Sequence, residues 1–69
     1  MQILEDVADQ LARDTLAAVA KTGDESLEQQ VSEALGSSSQ TLQEAFLTAI
    51  RVRKAERRAL ALLARAEKD

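Results

Sequence analysis

In 69 residues the chain has no proline and only two glycines, Gly23 and Gly36. Nothing else in it breaks a helix strongly, so the fold must be built from the stretches before, between and after those two points. Ala, Leu, Glu, Gln, Arg and Lys dominate these stretches, and all of them favour helix. Phe46 is the only aromatic residue, and few β-branched residues remain to build strands. The expectation is an all-α fold of three helices, two shorter and then one long C-terminal helix, in a small helical bundle completed by dimerisation. The helices are placed at about 3–21, 24–35 and 39–68, in a single helical domain spanning residues 1–69.

Both glycines stand where a helix would end, Gly23 in KTGDES and Gly36 in ALGSSSQ, and both are expected in the left-handed conformation beyond a helix C-terminus. N-cap candidates follow each: Asp24 or Ser26 after the first, Ser37 to Ser39 or Thr41 after the second. The spacings Ser26–Gln29 and Thr41–Glu44 fit capping boxes, with Ser37–Gln40 competing for the start of the third helix.

Helical periodicity assigns the faces. On helix 1, Leu4, Val7, Ala8, Leu11, Thr15, Ala18 and Val19 form one stripe, with Glu5, Asp6, Asp9 and Asp14 outside it. Helix 2 places Leu27, Val31, Ala34 and Leu35 on one side. On helix 3, Leu42, Ala45, Ala49, Val52, Ala59, Leu60 and Leu63 share a broad face, and Arg51, Lys54, Arg57, Arg58, Arg65 and Lys68 take most of the opposite one. Leu47 and Leu62 fall near the basic side, which implies contacts to helix 3 from two directions. The expected core is Leu11, Val31, Leu42, Phe46 and Ala49.

A chain this short buries little core, and small folds usually add disulfides, a metal or a partner chain. With no Cys and no His, disulfides and the usual zinc sites are excluded, which leaves association. At ~1.5 Å per residue, helix 3 would be roughly 40 Å long and helix 2 about 15 Å, so a stretch of helix 3 bearing Leu60, Leu62 and Leu63 lacks cover from its own chain. The expected interaction surface is Val52, Arg53, Glu56, Ala59, Leu60, Leu62 and Leu63, covered by a second copy in a homodimer or higher even oligomer. Arg53 and Glu56 lie on or beside the apolar face. They are expected to pair on one turn or across a two-fold interface, where charges in an apolar seam can set register.

Charge is divided along the chain. Residues 1–48 hold nine acids and two bases, for −7; residues 49–69 hold seven bases and three acids, for +4. Within the second part, IRVRKAERRAL concentrates Arg51, Arg53, Lys54, Arg57 and Arg58, the candidate nucleic-acid contact of an alternative reading. That reading is disfavoured. The rest of the chain would repel phosphate, no aromatic residue accompanies the run to stack on bases, and the start of helix 3 carries no base. The acidic faces of helices 1 and 2, or of a neighbour, are the simpler complement.

Catalysis has little to work with in a chain lacking His, Cys, Tyr and Trp. GSSSQT lacks the glycine-rich, lysine-ended pattern of a phosphate cradle, so it reads as a turn and cap. The clusters Glu5, Asp6, Asp9 and Asp24, Glu25, Glu28 lack a glycine-centred calcium loop and read as solvated charge. No catalytic residue, cofactor, metal or small-molecule substrate is expected. No apolar run approaches the ~20 residues of a membrane span, and the first residues do not resemble a targeting signal. The expectation is a cytoplasmic, non-enzymatic interaction or regulatory protein that binds itself and another protein.

Overall fold

The computed structural model describes residues 2–68. The chain is all-helical: α1 spans Gln2–Thr22, α2 Ser26–Gly36 and α3 Gln40–Lys68, with no strand among the described residues. Each break has a local cause. Gly23 takes φ +76°, which only glycine adopts freely, and its N–H donates to the Val19 carbonyl at 2.7 Å to close α1. The Thr22 hydroxyl donates back to the Ala18 carbonyl at 2.8 Å. The Asp24 carboxylate then accepts the Ser26 N–H at 3.0 Å within the turn, and Glu25 stands at the N-cap of α2 without a side-chain capping bond. Helix α2 therefore starts two residues later than expected. Ser26 lies inside it and accepts from the Gln30 amide at 2.9 Å, so the Ser26–Gln29 capping box does not form.

The second break differs from expectation. Gly36 is the last residue of α2 and has no positive φ. Its lack of a side chain serves a close approach instead. A Cβ there would sit 2.5–2.9 Å from the Gln43 amide group. That amide donates to the Ser32 carbonyl at 2.9 Å and to its Oγ at 3.3 Å, linking α2 to α3. A side chain at position 36 would oblige the Gln43 amide to move from this position. The turn itself is closed by the Ser38 and Ser39 N–H groups on the Leu35 carbonyl, at 3.0 and 2.7 Å. Ser39 Oγ accepts the Leu42 N–H at 3.1 Å and is the cap of α3, which places Thr41 within the helix and rules out the Thr41–Glu44 box.

The core joins Ala8, Ala12 and Leu16 of α1 to Phe46 and Ile50 of α3, with Leu11, Val31, Leu35, Leu47 and Ala49 packed around it. Of the five residues expected inside, only Phe46 is fully enclosed. Leu11, Val31 and Ala49 form the rim, and Leu42 is half-buried. Val7, placed on the stripe of α1, is 43% exposed, whereas Ala12, Leu16 and Ile50 lie inside unanticipated. The alanines of α1 bring its backbone close to α3, so the bulky Phe46 and Ile50 fill the space between helices. On α3 this inward direction lies roughly 100° around the helix from the Ala45–Val52 stripe.

Both α1 and α2 pack on the first half of α3, Leu47 among the residues they cover, so α3 is contacted from two sides. Beyond that half, every residue from Ala55 to Lys68 is exposed. These residues project as a helix about 20 Å long at 1.5 Å per residue.

Candidate interaction surface

Four large apolar side chains of α3 lie open: Val52 at 60%, Leu60 at 58%, Leu62 at 61% and Leu63 at 59% exposure. Val52, Ala59 and Leu63, together with Glu56, continue the line begun by Ala45 and Ala49. The intervals 45–49–52–56–59–63 alternate four and three residues, the spacing of a coiled-coil seam. Leu60 flanks this line on one side, and Leu62 lies on the other flank. Of this line, Ala49, expected in the core, packs at its rim and Ala45 is half-buried, while Val52 and the residues from 56 on lie exposed in the single chain.

The first part of the seam forms one wall of a groove. Leu4, Glu5 and Ala8 of α1 face Ala45, Thr48, Ala49 and Val52 of α3 across a concavity of about 530 Å³. It lies within the range of small-molecule pockets by volume, but its lining is mostly aliphatic and offers Glu5 as its only charge, without the converging polar groups that orient a ligand. The small side chains of Ala8, Ala45 and Ala49 create it.

Next along α3 from the groove-lining Val52 is Arg53. Its Nε and Nη2 donate to the two carboxylate oxygens of Asp9 at 2.8 and 2.6 Å, a bidentate pair that ties α1 to α3. Its Nη1 donates to Glu56 Oε1 at 3.1 Å, one turn along α3. Arg13 adds a longer contact to Asp9 at 3.5 Å. The hydrogen bonds from Arg53 hold the Asp9 carboxyl below its ordinary range against the opposing effect of partial burial, and the charges of Arg53 and Arg13 add to the lowering. Reciprocally, hydrogen bonds from Asp9 and then Glu56 raise the Arg53 pKa. On the other flank, Lys54 Nζ donates to Glu28 Oε1 of α2 at 2.9 Å.

These pairs divide the basic run. Arg53 and Lys54 are committed to Asp9 and Glu28, and Lys54 reaches inward to α2 instead of lying on a solvated face. Arg51, Arg57 and Arg58 are exposed, and among the described residues they take part in no ion pair. Asp9 and Glu28, which the sequence pattern places among solvated charges, are instead paired across helices. The contact of Asp9 could have been found by taking Ala8 and Ala12, and not Leu11, as the centre of the packed face of α1. Asp9 then falls at its edge, level with a basic residue of α3.

Among the described residues, no three or more acidic side chains come together as a metal-binding group, and no helix is long and apolar enough to cross a membrane. No family model, curated protein or solved structure matches the chain.

Proposed function

We propose that this chain is a small non-enzymatic protein–protein interaction or regulatory module that self-associates through the second half of α3. The observation that carries the reading is the exposure of Val52, Leu60, Leu62 and Leu63 on a helix whose second half neither α1 nor α2 covers. Contiguous exposed apolar side chains of this kind mark contact sites. Association also answers the stability problem of a small core, five buried apolar residues among those described. The site of action proposed is the cytoplasm, where a chain without cysteine needs no oxidising environment.

Sedimentation velocity or light scattering on the order of tens of micromolar tests this reading. The expected result is twice the 7.5 kDa chain mass, falling on dilution. A single-chain mass throughout would refute it.

A second reading, nucleic-acid association, draws on the exposed Arg51, Arg57 and Arg58. It is weaker because Arg53 and Lys54 are engaged within the chain and the net charge is −3. Salt-resistant binding to mixed oligonucleotides would favour it over the first.

A further inference from the structure

From the groove between α1 and α3 we infer the mode of association: each chain's α3 tail lies in the other's groove, antiparallel, about a two-fold axis near residue 54. This rests on the self-association proposed above and adds the identity of the docking site.

Three observations support it. The tail and the groove share one seam. Residues 45, 49 and 52 form the groove wall, and residues 56, 59 and 63 continue the same four–three spacing into the exposed tail. An antiparallel pairing in which Ala59 faces the partner's Ala49 sets Leu63 over Ala45, so a large side chain enters where the groove is made by small ones. Leu60, on the α1 flank of the tail, then meets Leu4 and Ala8 of the partner.

The charges also correspond. Residues 57–68 carry Arg57, Arg58, Arg65 and Lys68 against Glu67, while residues 2–9 carry Glu5, Asp6 and Asp9 with no base. Glu5 lines the groove, and the exposed Arg57 lies about 120° round the tail from the seam, on the same side as Leu60. Among the described residues, neither has an ion-pair partner within the chain. Finally, one chain supplies both halves of the contact, so a two-fold arrangement closes and satisfies both copies at once. Glu56 stands in the seam near the axis, its carboxylate held by Arg53 of its own chain.

The absence of native cysteine makes disulfide trapping a clean test. In the full-length double variant Ala49→Cys/Ala59→Cys, mild oxidation should double the mass on a non-reducing gel. Each single variant should stay at the single-chain mass. Like positions would lie ten residues apart along the seam, about 15 Å at helical rise, beyond the 4.4–6.8 Å Cα separation a disulfide spans (a range of roughly that width). Unchanged helical circular dichroism confirms that the variants fold, since both changes are small and apolar. Efficient linking of either single variant would indicate parallel association and overturn the groove docking while leaving self-association intact. A dimeric mass by light scattering with no linking in any variant would do the same. A monomeric mass would overturn both.

Discussion

The two halves of α3 follow one helical pattern but meet different surroundings. Up to Lys54, the helix has its bulky side chains, Phe46 and Ile50, under α1 and α2, and two of its bases paired to acids on those helices. From Ala55 onward, leucines and arginines alike face outward. Local helix propensity is high in both halves, so propensity does not distinguish them. The difference is tertiary: α2 has only 11 residues, and α1 and α2 together cover half of α3. A helical extension without packing is marginal in water, because packing of an amphipathic face supplies most helical stability in proteins. The contrast leaves the first half stabilised within the chain; under the self-association proposed above, the second half is stabilised between chains.

The largest expected effect lies in the first half. Phe46→Ala should destabilise by roughly 3–5 kcal/mol, measured by urea unfolding, because Phe46 is fully buried and its removal leaves a cavity. That loss should appear equally at high and low protein concentration. Leu63→Asp should behave in the opposite way. It should weaken association by roughly 2 kcal/mol or more, seen as a shift to single-chain mass, with little change in the stability of the dilute chain. If Leu63→Asp instead unfolds the dilute chain as Phe46→Ala does, the division of α3 is wrong.

Smaller effects sharpen the boundary. Ser39→Ala removes the cap of α3 and should cost about 1 kcal/mol by thermal or urea unfolding, independent of concentration. The Asp9–Arg53 pair should appear in the pH profile. Asp9 has a lowered folded pKa, so its contribution is fully present above the ordinary value of 3.8 and is lost as pH falls through the lowered one. Asp9→Asn should flatten that acid limb of stability relative to wild type. An unchanged limb would show that the pair does not couple folding to pH. Replacing the exposed Arg51 and Arg58 with Gln should change stability least, by about 0–1 kcal/mol or less, and less still in added salt.

Much of this architecture is readable from the sequence, and the parts that are not share a cause. Two glycines in a chain of helix formers are enough to place three helices within two residues of their observed ends. Their local roles are less accessible: Gly23 and Gly36 look alike in sequence, but only Gly23 has positive φ, while Gly36 leaves room for the amide of Gln43, seven residues away. The exposure of Leu60, Leu62 and Leu63 follows from helix lengths alone. The inner face of α3 does not. That helix carries two apolar directions, one through Ala45, Ala49 and Val52 and one through Phe46 and Ile50, and periodicity weights alanine as it weights phenylalanine. Which direction turns inward depends on the fit of Phe46 and Ile50 against the small residues of α1. Arg53 could be placed beside the seam, but its principal partner, Asp9, depends on the packing of α1 against α3, which the pattern within either helix does not contain.

Amide hydrogen exchange, followed by mass spectrometry at rising protein concentration, tests the division of α3 most directly. Protection of residues 40–54 should be high and independent of concentration, while protection of residues 55–68 should be slight in dilute protein and rise as the chains associate. Concentration-independent protection across both halves, or a tail that exchanges freely at every concentration, would contradict the claim that the second half of α3 is ordered by a second chain.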